Sequence, residues 1–311
     1  MILNTSTENE EFASMLREGI LTPLQKPPNK KKKPVENLRP VILLSVLRKI
    51  LATSMIERIW DKFKMIIPIE QAAYQKGRST TEQVFSMKIL AEKAIISEDY
   101  NIFILLLDMS KAFDTINRKR LMEKLEEVLS PCELRIMYIL IEKVNIKVRV
   151  GKDYGQNIET NIGVVQGDCL SAVLFIFYLA GAIKPIPDNR LKEDHTGEAL
   201  WSALDWLVRE DRHNISIDPK YSDDLSFIRS MLAKINTVKR IIPGMLKDAD
   251  LIENSDKREE YEISRKSDER WKKCKYLGSL LDTEKDIERR RSLTLDAMRT
   301  LEPMFRSRKI S

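Results

Sequence analysis

The feature that most restricts the fold of this chain is an apolar run of six residues, IFILLL at positions 102–107, which Asp108 closes. The run is short, partly β-branched and bounded by polar residues, a pattern typical of a strand buried on both faces. The carboxylate of Asp108 is then expected at the exit edge of that strand. The sheet that contains this strand must be covered on both sides.

Other stretches predict helices and strands without strict alternation. Apolar residues at helical spacing predict helices over 45–63, 80–95, 116–129, 168–183 and 284–301. Strands are expected over 19–26 and 276–281, and hairpins over 145–165 and 221–228. Because the two types are mixed without regular βαβ units, the pattern favours an α+β fold. No glycine-rich dinucleotide or P-loop motif occurs.

Three segments are predicted to be irregular. The polar residues 1–15 are expected to be frayed. The stretch KPPNKKKKP at 26–34 is expected to be a loop, since like charges repel and proline blocks regular pairing. It is either a solvated turn or a patch for phosphate contact or nuclear targeting. Residues 184–220 offer only a hint of a short helix, at Trp201, Leu204 and Leu207.

Composition limits the classes of function. The 311 residues carry a net charge of +6, which fits a polyanionic partner and an ordinary basic surface equally well. Three separated cysteines without a C-x-x-C argue against disulfides or a cysteine zinc site and fit a reducing compartment. With two histidines in the chain, catalysis is expected to rest on carboxylates and a hard cation.

No targeting segment or membrane span is expected. The first residues have neither a basic stretch nor an apolar core, so no secretory signal is predicted. The longest apolar run, 172–183, is too short to cross a bilayer. The expected location is intracellular, in the nucleus or the cytoplasm, with no membrane partner.

Carboxylates form the candidate reaction centre. Asp108 ends the buried strand, and Asp223 and Asp224 lie in YSDD on a predicted tight hairpin. If the two strands are neighbours, three carboxylates converge at one end of a sheet and repel one another unless a cation neutralises them. Mg²⁺ prefers a few carboxylates together with water and substrate phosphates. A pair of such ions can activate an attacking hydroxyl and stabilise a leaving phosphate.

A third element precedes the apolar helix at 168–183. Gln166 and Gly167 stand directly before its N-terminus. Glycine allows a backbone to approach a ligand closely, and a helix N-terminus suits a phosphate or a template strand.

Six stretches in order resemble the sequence blocks of reverse transcriptases of the non-LTR retrotransposon type. They are ENLRPVILLSVLRKILATSMIERI (36–59), QAAYQKGRSTTEQV (71–84), LLDMSKAFDTINR (106–118), VVQGDCLSAVLF (164–175), YSDD (221–224) and CKYLGSLLDT (274–283). The resemblance runs from about residue 19 to the end. It departs from the family at Ala172, where proline is usual, which is expected to alter the helix start slightly.

This resemblance implies a right-hand polymerase with fingers and a ferredoxin-like palm, the thumb being largely missing. The implied segments are an N-terminal extension (1–18), fingers (19–100), palm with an interleaved fingers segment (101–265), and the end of the palm with a thumb stub (266–311). The implied activity is RNA-directed DNA synthesis with two Mg²⁺ ions, or Mn²⁺. An RNA template, a DNA primer and deoxynucleoside triphosphates are the implied partners.

The resemblance also assigns a role to each matching residue. Asp108 and Asp223 would hold the metals, with Asp224 beside them. The residues expected to contact the nucleotide or the template are Arg39, Arg78, Phe113, Gln166 and Gly167, among which Phe113 would exclude a 2′-hydroxyl. Tyr276, Leu277 and Gly278 would support the primer end.

Simpler alternatives stay open for several of these residues. Asp114 is interpreted as an N-cap of the following helix, and Phe113 could belong to the core. Arg78 could be a loop charge, and Lys257 either a solvated lysine or the family's palm lysine. For the whole chain, the alternatives are a remnant that binds nucleic acid without copying it and an unrelated α+β scaffold.

Overall fold

The computed structural model of the chain describes residues 10–25, 38–98, 101–183 and 215–305. The helices in these ranges are α1 (Glu10–Arg17), α2 (Val46–Lys64), α3 (Thr80–Ile96), α4 (Ala112–Thr115), α5 (Arg118–Glu126), α6 (Pro131–Ile141), α7 (Cys169–Ala182), α8 (Leu232–Asp248) and α9 (Thr283–Phe305). The strands are β1 (Glu18–Gln25), β2 (Leu38–Leu44), β3 (Ile102–Leu107), β4 (Val144–Val150), β5 (Asp153–Thr160), β6 (Ser216–Ile217), β7 (Lys220–Tyr221), β8 (Asp224–Arg229), β9 (Glu259–Ile263), β10 (Lys275–Tyr276) and β11 (Ser279–Leu280).

The apolar run at 102–107 is strand β3, which lies inside the central sheet between β8 and β9 and is antiparallel to both. Successive side chains point to opposite faces of a sheet. Leu105 and Leu107 belong to a core that includes residues of α2, α5, α7 and α8, whereas Ile104 and Leu106 belong to a second core under α3. Because both faces are covered, the strand is apolar throughout, and the predicted buried strand is confirmed.

A second sheet has the strand order β2-β1-β4-β5. β1 runs antiparallel to β2 and parallel to β4, which continues into the hairpin with β5. A small apolar cluster contains Ile42, Val144 and Ile146. The sheets and helices together form the α+β class expected from the sequence, and the predicted helices and hairpins are found with shifted ends.

Several expectations about local structure are wrong. Residues 10–17 form helix α1, which buries Ala13 and Leu16 in the main core, although polar residues dominate its start. The stretch 276–281 is a hairpin of β10 and β11, because Leu277 and Gly278 both have left-handed φ angles that end a strand. Helix α3 begins after Ser79, whose side chain accepts a hydrogen bond from the Glu82 amide.

Three elements lack a clear periodic signal and were not expected. α6 begins at Pro131 after a capping box formed by Ser130 and Glu133. α8 contains Pro243, which interrupts the helical pattern, and β9 lies in a highly charged stretch. Tertiary pairing with β3 selects the strand state of β9.

The predicted loop at 26–34 and the helix suggested at Trp201, Leu204 and Leu207 lie outside the described residues. Across the ranges that are described, no helix is both long enough and apolar enough to cross a membrane.

Candidate active site

The YSDD stretch forms a tight hairpin at one end of the central sheet. β7 ends at Tyr221, β8 begins at Asp224, and these two residues pair directly. The connecting loop therefore consists of Ser222 and Asp223. Ser222 has a left-handed φ of 59°. A positive φ at the first loop position is what the II′ class of hairpin turn requires, so the predicted hairpin is confirmed.

The pairing of β3 with β8 brings Asp108 to this turn. Leu107 lies opposite Leu225 in the antiparallel register. Continuing this register by one residue places Asp108 opposite Asp224. Directly opposed residues share a face of the sheet, with Cβ atoms about 4.5–5.5 Å apart. Asp223 adjoins Asp224 on the turn. The three carboxylates therefore gather at one sheet end, as the register of neighbouring strands predicts.

Desolvation and the repulsion between neighbouring carboxylates raise the pKa values of two of these groups. The pKa of Asp224 is raised to about 6, by desolvation first and then by the charges of Asp223 and Asp108. The pKa of Asp223 is also raised, mainly by desolvation and further by Asp108. Asp224 is exposed at the start of β8, and the charges of Asp223 and Asp108 add to the effect of desolvation. The group carries an excess of negative charge.

Asp108 is partly neutralised by the loop that follows α8. The Lys257 ammonium lies 2.8 Å from Oδ2 of Asp108, and the Asn254 side-chain amide donates to the same oxygen at 3.1 Å. The Asn254 backbone amide donates to the Asp108 carbonyl at 2.8 Å. Lys257 is 59% exposed yet ion-paired, so the interpretation of Lys257 as merely solvated is incomplete. The role of Asn254 was missed, because its segment shows no periodic pattern.

The donor chemistry of the site fits a hard dication, but the site is not preformed. Within the described ranges, no group of three His, Cys, Asp or Glu side chains is arranged closely enough to hold a metal ion. Carboxylate oxygens are the ligands that Mg²⁺ prefers, and Asp223 and Asp108 add negative charge beside Asp224. A metal ion that used Oδ2 of Asp108 would have to displace Lys257 from that oxygen.

An open cleft of about 390 Å³ joins the carboxylates to the hairpin of β10 and β11. Asp108, Asp224 and Lys257 line it, as do the residues expected at the primer end, Tyr276, Leu277 and Gly278. The Tyr276 side chain is buried, and its hydroxyl lies 3.2 Å from the Ser226 hydroxyl on β8. The tight turn at Leu277 and Gly278 is thereby anchored to the sheet that carries the carboxylates.

Phe113 lies on the one-turn helix α4, shortly after Asp108. Its half-buried ring stacks on Phe175 of α7, with centroids 4.6 Å apart. The amide of Val164 donates to its carbonyl at 2.8 Å. Phe113 thus packs against the core, as the simpler interpretation holds, while part of the ring stays accessible to a ligand.

The Gln-Gly pair packs against β2. Gly167 has a φ of +116°, and a Cβ there would overlap the Ile42 carbonyl oxygen. The Ile42 amide donates to the Gln166 carbonyl at 2.8 Å. The close approach that glycine permits at this position is made by strand β2 of this chain.

Asp114 does not cap α5, which begins after Asn117; the Asn117 side chain accepts from the Arg120 amide. Asp114 lies within α4, and its Oδ1 accepts from Gln166 Nε2 at 3.1 Å. The N-cap interpretation of Asp114 is therefore wrong, because the helix starts three residues later. Its carboxylate instead accepts a hydrogen bond from Gln166, which connects helix α4 to the Gln-Gly pair before α7.

The arginines expected in the fingers differ in their surroundings. Arg78 is mostly buried, pairs with Glu82 at 2.7 Å and donates to the Ile69 carbonyl at 2.8 Å, so it is not a loose loop charge. Arg39 is exposed on β2 opposite Leu24. Among the described residues, no hydrogen bond or ion pair joins either arginine directly to the three carboxylates.

Sequence reasoning missed the ion pair that supports the start of α7. Asp168 caps this helix and accepts from the Leu170 amide at 3.1 Å. Its Oδ2 also accepts from Arg48 Nε at 2.9 Å, and both side chains are buried. The helix begins at Cys169, so Ala172 lies in the first turn without displacing the helix start.

Comparison with known proteins shows the family to which the chain is similar. The family model described as reverse transcriptase (RNA-dependent DNA polymerase) matches residues 29–281. One curated relative, the retrovirus-related Pol polyprotein from type-1 retrotransposable element R2 of Nasonia vitripennis, is 34% identical over 90 residues. That match covers 28% of this chain and only 9% of the polyprotein. Together the matches confirm the resemblance found in the sequence blocks.

Solved structures share the fold. Apo telomerase from Candida tropicalis, truncated from its C-terminal domain, aligns with a TM-score of 0.56 and 13% identity over 86% of this chain and 54% of that one. Telomerase from Candida albicans, in complex with the TWJ fragment of telomeric RNA, aligns with a TM-score of 0.51 and 12% identity over 86% and 44%. At such identities the likeness concerns the fold alone, which is the expected polymerase fold of fingers and palm.

Proposed function

The chain belongs to the reverse transcriptase family, and we propose that it carries out RNA-directed DNA synthesis at the end of the central sheet. The observation that supports this most is the opposition of Asp108 and Asp224 across β3 and β8, with Asp223 on the adjoining turn. The chain spans 9% of the R2 polyprotein and about half of the truncated telomerase, so the activity proposed is that of this chain only.

Asp108 and Asp223 would hold two Mg²⁺ ions, or Mn²⁺, with Asp224 beside them. When bound, such ions supply Lewis-acid stabilisation for an attacking hydroxyl and a leaving phosphate. Lys257 holds Asp108 in the metal-free chain and would be freed to neutralise phosphate charge once a cation takes its place. The charges of Asp223 and Asp108 help to raise the pKa of Asp224, and a cation among the three carboxylates would offset that repulsion.

The substrates proposed are a DNA primer, an RNA template and deoxynucleoside triphosphates. The β10–β11 turn at Leu277 and Gly278 borders the same cleft as the carboxylates and would support the primer end. The exposed part of Phe113 would contact the sugar of the nucleotide. Gln166 and Gly167 would contact the nucleotide or the template, and so would Arg39 and Arg78 from the fingers.

The segment boundaries proposed with this function follow the sequence blocks. Residues 1–18 form an extension and 19–100 the fingers. The palm, with an interleaved fingers segment, occupies 101–265, and 266–311 comprise the palm end and the start of a thumb. Helix α9 belongs to this last segment.

A second candidate function is nucleic-acid binding without synthesis. The ion pair of Lys257 with Asp108 favours it, because one of the two oxygens of this carboxylate is already held by the protein. Both candidate functions predict that the chain binds nucleic acid, but only the first predicts that it extends a primer.

A primer-extension assay separates them. The chain is incubated with poly(rA)·oligo(dT), dTTP and Mg²⁺, and a parallel sample contains EDTA. Extension that depends on the metal and is lost in Asp108→Asn supports synthesis. Retained binding with no extension in either Mg²⁺ or Mn²⁺ supports the second candidate.

A further inference from the structure

The outer edge of the catalytic hairpin is held by a segment from far upstream, residues 70–74. β7 is a two-residue strand. The Lys220 amide donates to the Glu70 carbonyl at 2.9 Å, and the Ala72 amide donates to the Lys220 carbonyl at 3.0 Å. Gln71 and Lys220 form a parallel bridge. The upstream segment therefore acts as a neighbouring strand for β7.

The side chain of Gln71 reaches past β7 to the turn itself. Its Oε1 accepts from the Ser222 amide at 3.0 Å and from the Ala73 amide at 3.1 Å. Gln71 is 1% exposed. Since both partners are N–H donors, chemistry requires the carbonyl oxygen of the side chain to face them. A buried amide oxygen with two donors is held in one orientation.

Ser222 needs such support, because its backbone is in a conformation that L-residues rarely adopt. Its φ of 59° lies in the left-handed region, and so does the φ of Tyr74, also 59°. The Ser222 hydroxyl donates to the Tyr74 hydroxyl at 3.2 Å. Unfavourable backbone states persist only where the surroundings enforce them. Here Gln71 holds the Ser222 backbone and Tyr74 holds its side chain.

We propose that Gln71 is a positioning residue for Asp223, because its side-chain carbonyl keeps Ser222 in the left-handed state that aims the Asp223 carboxylate towards Asp108. This inference deepens the proposed function and rests on it. Ser222 directly precedes Asp223, so relaxation of Ser222 into an extended conformation would redirect the next peptide and its side chain. Tyr74 makes a smaller contribution of the same kind.

The test replaces Gln71 with a residue of similar shape that cannot accept these hydrogen bonds, Gln71→Met. Gln83→Met is the matched control. Gln83 is also fully buried, but its amide donates to the Glu70 carbonyl at 2.9 Å and does not touch the turn. Each substitution removes a buried glutamine from the same neighbourhood. Tyr74→Phe removes only a hydroxyl from a half-exposed side chain and keeps the test possible if Gln71→Met does not fold.

The first measurement is amide hydrogen exchange of the full chain, followed in peptides that span 219–227. Loss of one hydrogen bond should raise exchange at the turn about tenfold in Gln71→Met, and by less in Tyr74→Phe. Peptides from β3 should keep the parent rate. Gln83→Met should lower the melting temperature without this local effect. Equal exchange at the turn in parent, Gln71→Met and Tyr74→Phe would overturn the inference.

The second measurement connects the turn to metal use. Gln71→Met should raise the Mg²⁺ concentration for half-maximal primer extension several-fold, whereas Gln83→Met, which removes a hydrogen bond to the Glu70 carbonyl and none to the turn, should leave that concentration unchanged. Glycine adopts left-handed angles freely, so Ser222→Gly should reduce the loss of melting temperature that Gln71→Met causes. If the parent chain does not extend primers, the proposed synthesis fails, but hydrogen exchange and the Ser222→Gly comparison still decide the role of Gln71.

Discussion

Lys257 and Asp108 form an ion pair across 2.8 Å, and both residues line the open cleft beside β10 and β11. The acceptor, Oδ2 of Asp108, is the same oxygen that receives a hydrogen bond from Asn254. Asn254 and Lys257 lie on the loop between α8 and β9. This loop contacts the chain just after the end of β3, through the bridge between Met109 and Glu253. Asp108 thus has one oxygen satisfied by the protein, and any cation at this site competes with a lysine.

This competition predicts tighter metal binding when the lysine is removed. Lys257→Met should lower the dissociation constant for Mn²⁺ about two- to fivefold, which matches the modest strength of an exposed ion pair. Mn²⁺ binding followed by electron paramagnetic resonance measures it directly. Lys272→Met, which breaks an exposed pair with Glu269 elsewhere, is the control. An affinity that falls in Lys257→Met would show that the lysine does not compete with the metal.

Asp223→Asn should abolish primer extension and leave nucleic-acid affinity nearly intact. The substitution removes a metal-binding carboxylate, while the basic surface that attracts phosphate is unchanged. Extension and filter binding are measured on the same preparation. Asp153→Asn, which alters an exposed carboxylate at the start of β5, is the control and should extend as the parent does. Full extension by Asp223→Asn would mean that the metals bind elsewhere.

Asp224 predicts an unusual dependence of stability on pH in the metal-free chain. Its folded pKa, about 6, lies above the ordinary carboxyl value, so the folded state holds the proton more tightly than the unfolded state. The contribution to stability is complete below about pH 4 and is lost as the pH rises through about 6.

Asp224→Asn removes this penalty. Because the side chain is exposed, the gain should be well below 1 kcal/mol, a rise in melting temperature of about 1–2 °C at pH 7.5. At pH 4 the variant and the parent should melt alike. Thermal unfolding in EDTA at the two pH values provides the comparison, and a gain of equal size at both would contradict the linkage.

Phe113→Val should increase incorporation of ribonucleotides. An aromatic ring beneath the sugar leaves a 2′-hydroxyl without space or a hydrogen-bond partner, and a smaller side chain relieves both. The measured quantity is the ratio of kcat/KM for dNTP and NTP. Phe175→Leu is the matched control, since it breaks the same ring stack from the core side. Equal ratios in both variants, with lower melting temperatures, would assign Phe113 to packing alone.

Binding of nucleic acid should weaken steeply with salt. The chain has a net charge of +6, and each phosphate that it neutralises should add about −0.9 to the slope of log affinity against log salt for duplex. Charge reversal at the exposed Arg39, as in Arg39→Glu, should weaken binding and flatten that slope. Affinity that is independent of salt would exclude an electrostatic groove.

Much of this site was readable from the sequence because its signals are local. The run that ends at Asp108, the hairpin around Asp223 and Asp224, and the Gln-Gly pair before α7 each follow from short-range patterns of apolar residues and turns. The expected convergence of the carboxylates also needed just one further step, the antiparallel pairing of β3 with β8. Motif order supplied the family, and the family model agrees with it.

Other features had no local signal. Asn254 and Lys257 meet Asp108 from about 150 residues away in the chain, with separations of 146 and 149. Gln71 meets Ser222 across 151 residues. The prediction of one strand over 276–281 is wrong because the chain turns at Leu277. Leu277 has a left-handed φ angle, which residues other than glycine rarely adopt, so the sequence did not indicate this turn.

The amino-acid sequence by itself determined β3, five of the described helices, the two predicted hairpins and which acidic residues stand at strand ends, since periodicity and turn chemistry act over a few residues. Only the tertiary structure decided which side chains satisfy those acids and how the turn is held. Gln71, Asn254 and Lys257 are ordinary polar residues in sequence. They acquire their contacts because buried and strained groups must find hydrogen-bond partners wherever the packed chain brings them.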